Sequence, residues 1–183
     1  MPPFDVTRAT EEMINSVPSK YLTGLSEIVL TNTAGLPRKL RRSVTKSRGR
    51  KVRQAATAGL YFQEWNNRPA WIQVYVDNTL APWNDWFWFF LPIVRRMALG
   101  HILFHEIGHH IHATSHPEHR EKEDVADDWK DKLSRNYFRS RYPWLKFIIA
   151  PFRPFLRRFT AAKAQKLYRA GMISRHEFEK SKK

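Results

Sequence analysis

The stretch Leu103-Phe104-His105-Glu106-Ile107-Gly108-His109-His110-Ile111-His112 decides how this sequence is interpreted. Its apolar spacing is typical of a helix. On a helix, His105 and His109 are four residues apart, so both imidazoles leave the same face and can hold one metal ion. Glu106 is about a third of a turn away, where its carboxylate can reach a water on the metal rather than the metal itself. The stretch therefore predicts a metal site with a base beside it.

A second helix is predicted to complete this site. Pro92 fits the first turn of a helix that runs to about Thr114. A loop over residues 115–120 would let a second helix, residues 121–135, return alongside the first. Its Glu123 and Asp127 are one turn apart on one face, and Ala126 between them allows close approach of the two helices.

The third metal ligand is chosen among several candidates. Two imidazoles and a carboxylate suit zinc, and a catalytic zinc keeps three protein ligands with water in the fourth position. A third histidine six residues after the second would fit a known pattern, but Ser115 stands there. His116 and His119 remain candidates. We prefer Glu123, because Asp127 could then accept the second ring N–H of a ligand histidine and fix its tautomer.

The motif His105-Glu106-Ile107-Gly108-His109, followed by Glu123 and Asp127, resembles the gluzincin zinc metallopeptidases, whose signature is HExxH…ExxxD. In size the chain is most similar to the single-domain minigluzincins. The resemblance implies an α+β, zincin-like fold, in which a small antiparallel or mixed β-sheet packs on the motif helix and on a following Glu-bearing helix. It also implies a Zn²⁺ cofactor and hydrolysis of a peptide bond in a protein or peptide substrate. The implied roles are zinc ligation by His105, His109 and Glu123, general-base catalysis by Glu106, and support of a ligand by Asp127.

Two further roles follow from the resemblance. The family often supplies a His or Tyr that stabilises the transition state, and the candidates here are His112, His116, His119 and Tyr137. Such folds also place an edge strand beside the cleft, where it pairs with an extended substrate. The strand predicted at residues 71–77 would take that part, with Trp71, Gln73 and Tyr75 facing the substrate.

The predicted β-structure lies wholly before the motif. Residues 25–31, 59–65 and 71–77 have the alternation and β-branched or aromatic content of strands, and the turn at 66–69 predicts an antiparallel pair. Residues 1–137 are therefore interpreted as one zincin-like domain. Residues 138–183 are interpreted as a basic, aromatic-rich helical C-terminal extension, whose last helices resemble hairpins that mediate homo-oligomer formation.

The charge is high and uneven. The net charge is +15, with nine Lys or Arg and no acid between Arg38 and Arg53, and thirteen Lys or Arg between Arg139 and Lys183. This excess implies an acidic partner, which could be an acidic protein, nucleic acid or an anionic membrane surface. We interpret residues 38–53 as a solvated basic loop.

Several classes are excluded or disfavoured by composition. The chain has no cysteine, which removes disulfides, thiolate ligands and a cysteine nucleophile. No stretch approaches the length of a membrane span, and the N-terminus lacks a secretory pattern. We therefore expect a soluble, cytoplasmic protein, with peripheral membrane binding as an alternative. The alternative function is a non-catalytic zinc-binding module, regulatory or associated with nucleic acid or membrane.

Overall fold

The computed structural model describes residues 4–47, 50–81, 92–115, 123–144 and 147. The chain divides into two compact units, Met1–Tyr137 and Phe138–Lys183. Within the described residues, the helices are α1 (Val6–Asn15), α2 (Arg38–Arg42), α3 (Val76–Leu80), α4 (Pro92–Ser115) and α5 (Glu123–Arg141). The strands are β1 (Leu25–Thr31), β2 (Val44–Ser47), β3 (Arg50–Arg53), β4 (Gly59–Phe62) and β5 (Ala70–Tyr75).

The first unit is α+β, with a small mixed sheet of three strands in the order β1-β5-β4. β5 runs parallel to β1 and antiparallel to β4. The antiparallel pair predicted from the sequence is confirmed, although both of its strands are shorter than predicted. In the connection, Asn66 and Asn67 have φ of 48° and 61°, which is the left-handed geometry that tight hairpin turns require.

The prediction that residues 71–77 form an edge strand is wrong. β5 is hydrogen-bonded on both sides, and five of its six residues are buried, which is typical of a central strand. Its main-chain groups are therefore used within the sheet. Trp71, Gln73 and Tyr75 lie on this central strand, so they cannot pair with a substrate as we had predicted.

The motif helix α4 is the centre of the core. Its bounds agree with the prediction, and its residues from Leu103 to His112 are buried except His105. α1 packs beside it, where Met13 approaches Gly100. A polar group joins three helices, because Arg96 of α4 donates to Glu12 of α1 at 2.6 Å and to the Tyr137 hydroxyl of α5 at 2.9 Å.

The described part of the basic loop predicted at residues 38–53, residues 38–47 and 50–53, is not irregular. It forms the short helix α2 and a separate two-stranded antiparallel ribbon, β2–β3. The hairpin register pairs Val44 with Arg53 and Ser47 with Arg50. The pattern was misjudged because few apolar residues mark these strands, whereas strand pairing uses main-chain groups that any residue type supplies.

Three predictions fall outside the described residues. They are the loop after Ser115, the structure of the C-terminal helices and the ligand candidates His116 and His119. Within the described ranges, no helix combines the length and the apolar character needed to cross a membrane.

Candidate metal centre

Three ligand atoms from two helices meet at one point. His105 and His109 of α4 and Glu123 of α5 each offer one atom, and these atoms all lie within 4.8 Å of one another. The two imidazole Nε2 atoms are 3.1 Å apart. The Glu123 Oε2 atom lies 3.4 Å from His105 Nε2 and 3.8 Å from His109 Nε2. This group could hold a metal ion, and it consists of the three ligands predicted from the sequence.

The two helices reach this distance because small residues face each other. A Cβ atom on Gly108 would lie 2.6 Å from the main-chain oxygen of Ala126 and 3.0 Å from its Cα, closer than side chains pack. Glu123 is three residues before Ala126 and Asp127 directly follows it. The glycine inside the motif therefore determines how closely the acidic residues of α5 approach the histidines of α4.

Asp127 orients His105, one of the two histidines of this group. His105 Nδ1 and Asp127 Oδ1 are 3.0 Å apart. The hydrogen bond from His105 holds the pKa of Asp127 far below its ordinary value, against the opposing effect of burial. An ionised carboxylate only accepts hydrogen bonds, so His105 Nδ1 is the protonated nitrogen. In the neutral ring, Nε2 then carries the lone pair that faces the other ligand atoms.

A lysine that sequence reasoning missed supports Asp127. Lys130 donates to the same Oδ1 atom at 2.9 Å, and its side chain is largely buried. Its ammonium group further lowers the pKa of Asp127. The signal was present in the sequence, because Lys130 follows Asp127 by three residues on a helix, where the two side chains are neighbours.

Glu106 is buried against the start of β4. A Cβ atom on Gly59 would lie 2.7 Å from Glu106 Oε1 and 2.6 Å from a methyl group of Ile102. The position next to the Glu106 carboxylate therefore admits only a glycine without displacement of a neighbour. Gly59 was also missed, although a glycine in a strand often marks the close approach of another group.

His110 belongs to the packing and not to the metal group. Its Nε2 lies 3.0 Å from the Thr23 carbonyl oxygen, and its Nδ1 lies 3.3 Å from the Tyr61 hydroxyl. It is fully buried, and this burial lowers its pKa. The side chain joins α4 to β4 and to the segment before β1. Of the adjacent histidines His109 and His110, only His109 contributes to the metal group.

The candidates for transition-state stabilisation have different outcomes. Tyr137 is fourteen residues beyond Glu123 on α5, roughly 21 Å along the helix axis, and its hydroxyl accepts a hydrogen bond from Arg96. The prediction that Tyr137 could stabilise the transition state is therefore wrong. His112 is buried on α4, one turn after His109, and stays a candidate. His116 is outside the described residues.

Comparison with protein-family models, with curated proteins and with solved structures finds no match. The class of site is therefore defined by its geometry alone: two histidines and a glutamate that could hold one metal ion, with a second carboxylate on a ligand histidine.

Proposed function

We propose that the protein is a zinc-dependent peptidase of the gluzincin type with a zincin-like fold. The observation that carries the proposal is the convergence of His105, His109 and Glu123 from two helices, with Asp127 on one ligand ring. The resemblance in the motif and this arrangement are independent, because a sequence match does not require Glu123 to lie beside the histidines.

The ligand group fits zinc in chemistry and in size. Zinc favours imidazole nitrogen and carboxylate oxygen, and a catalytic site keeps three such protein ligands. Ligand atoms about 2.0–2.1 Å from a tetrahedral zinc are about 3.3–3.4 Å from one another. The three distances here, 3.1, 3.4 and 3.8 Å, are close to this value.

Residues of the protein would then have separate roles in hydrolysis. Zinc, when bound, would polarise the scissile carbonyl and make water a stronger nucleophile near neutral pH. Glu106 would accept the proton of the attacking water and pass it to the leaving amine. Burial of Glu106 against β4 restricts where its carboxylate can lie. Asp127 would keep His105 in the ligating tautomer.

The substrate strand in this proposal is β4. Among the described strands it lies at an edge of the three-stranded sheet, and its first residue, Gly59, contacts the general base. An extended peptide that adds to the outer edge of β4 would form main-chain hydrogen bonds and pass near Glu106. This role replaces the one that we had predicted for β5.

Two measurements on the purified protein test the proposal. Elemental analysis should find about one zinc per chain, and Glu106→Gln should keep that zinc, because Glu106 is not a ligand. Hydrolysis of a denatured protein substrate or a peptide library, followed by mass spectrometry, should occur with wild type. We expect Glu106→Gln to lower it by at least about 100-fold, as loss of a general base does.

Other results would separate the alternatives. Zinc with no hydrolysis by wild type would favour the non-catalytic zinc-binding module. Iron in place of zinc would favour oxygenase chemistry, which uses a similar set of two histidines and one carboxylate. Equal hydrolysis by wild type and Glu106→Gln would exclude the proposed mechanism. Glu123→Ala should lower the zinc content, and an unchanged content would assign the third ligand to another residue.

A further inference from the structure

A strongly basic segment lies outside the candidate metal centre. We call residues 38–47 and 50–53, which contain α2 and the ribbon β2–β3, the basic arm. Eight of its residues are Lys or Arg and none is Asp or Glu, and five of the eight are Arg. The five residues of α2 are exposed. In the part of the chain that the structure describes, no carboxylate forms an ion pair with the cations of α2.

The arm is attached to the rest of its unit at defined points. Arg41 donates to the main-chain oxygens of Leu36 at 2.8 Å and of Ala34 at 2.7 Å, which ties α2 to the preceding turn. At the other end, the Ser43 hydroxyl donates to the Gln54 side chain at 2.7 Å. Gln54 in turn donates to the hydroxyl of Tyr75 at 3.0 Å. The base of the ribbon is therefore held to the end of β5.

The register of the ribbon concentrates positive charge. In the register, Lys46 is the partner of Lys51, and Arg53 lies two positions from Lys51 along β3. Like charges directly opposite each other destabilise a strand pair. Cationic residues therefore occupy partnered positions in the ribbon, and an anionic partner would offset the repulsion expected from that pairing.

The composition of the arm favours phosphate over a lipid surface. Between residues 38 and 53 there is no aromatic side chain, and the apolar residues are Leu40, Val44 and Val52. Peripheral membrane segments combine cations with a larger apolar or aromatic face that enters the lipid. An Arg-rich segment is suited to phosphate, because the guanidinium group binds its oxygens in a bidentate manner. A two-stranded ribbon also has the width that the major groove of a B-form duplex admits.

We propose that the basic arm binds duplex nucleic acid through the phosphodiester backbone, with the ribbon β2–β3 as the main contact. This activity is independent of the proposed peptidase. Phosphate contacts of this kind carry little sequence information, so we expect affinity for duplexes of any sequence and a strong dependence on salt.

The test uses the full chain and a labelled duplex of random sequence, with affinity measured by fluorescence anisotropy at several salt concentrations. Lys46→Gln combined with Lys51→Gln removes the cations from two residues that are partners in the register. If both contact phosphate, the slope of log K against log salt becomes less negative by about 1.8, and affinity at 0.1 M salt falls about 60-fold. The double variant should be at least as stable as wild type to heat, because a like-charge pair is removed.

The matched control is Arg8→Gln combined with Lys20→Gln, which lowers the net charge by the same amount at exposed positions outside the arm. It should leave the slope unchanged. Glu106→Gln should bind the duplex as wild type does. The affinities for duplex RNA and for single strands, measured in parallel, show which type of nucleic acid backbone the arm binds.

Three outcomes would overturn the proposal. One is the absence of duplex binding by wild type at 0.1 M salt, and another is an equal loss of affinity in the two double variants. The third is a loss of affinity in the Lys46 and Lys51 double variant that is seen with vesicles containing phosphatidylserine and not with the duplex. This result would assign the arm to an anionic membrane.

Discussion

Gly108→Ala tests whether close helix packing forms the candidate metal centre. The added methyl group would lie 2.6 Å from the Ala126 main-chain oxygen, 3.0 Å from its Cα and 3.2 Å from its carbonyl carbon. All three are main-chain atoms, so no side-chain rotation can relieve the contact. Ordinary contacts begin near 3.4 Å, and α5 would have to move by about 0.8 Å relative to α4.

This displacement has two measurable effects. Alanine gains about 1 kcal/mol over glycine in a helix interior, whereas overpacking of a core costs about 1–3 kcal/mol. The net change in the free energy of unfolding is therefore a loss of about 0–2 kcal/mol. A shift of about 0.8 Å also exceeds the roughly 0.2 Å tolerance of metal–ligand distances. Because Glu123 moves with Ala126, we expect metal affinity to fall at least about tenfold.

The assay separates these effects by using protein with and without metal. Denaturant unfolding of the chelator-treated protein gives the packing cost, and zinc titration with a competing chelator gives the affinity. Gly100→Ala is the matched control on the same helix, since its new Cβ would meet Phe104 at 3.4 Å and Met13 at 3.6 Å, both flexible side chains. It should be stabilised by up to about 1 kcal/mol and should bind metal as wild type does. Wild-type metal affinity in Gly108→Ala would refute the reasoning.

Three further predictions concern single side chains. Gly59→Ala should retain zinc but lose most of the proposed hydrolysis, because its methyl group displaces Glu106. Full activity of this variant would show that the contact between residue 59 and Glu106 does not position the base. Lys130→Met removes one hydrogen bond to Asp127 and should weaken zinc affinity up to about tenfold. Competition with a chelator measures this affinity. An unchanged affinity would limit Lys130 to a structural role. Burial raises the pKa of Asp77, but hydrogen bonds from Thr33 and from main-chain N–H groups lower it more, so its folded pKa is below the ordinary 3.8. The ionised Asp77 therefore contributes its full stabilisation above pH 3.8, and this contribution is lost as the pH falls through the folded pKa. Denaturation should show Asp77→Asn less stable than wild type at pH 6–7, with the difference shrinking below about pH 4. A stability difference that does not depend on pH would contradict this prediction.

The elements that local pattern determines were predicted well from the sequence. β1 and α4 have the expected positions, because the first alternates and the second has an uninterrupted helical run that begins at Pro92. The metal group followed for a similar reason, since i, i+4 spacing on a helix fixes which side chains share a face. His105 with His109, and Glu123 with Asp127, are local pairs of this kind.

The remaining features depend on which distant segments meet, and only the tertiary structure decided them. The central place of β5 depends on pairing with β1, whose register joins Leu25 to Ala70, and no local pattern specifies a strand's neighbours. Tyr137 was misassigned because the length of α5 places it far from Glu123, which lies at the start of that helix. The sequence thus determined which residues could bind the metal, whereas the contact of Gly108 with Ala126 decided that they meet.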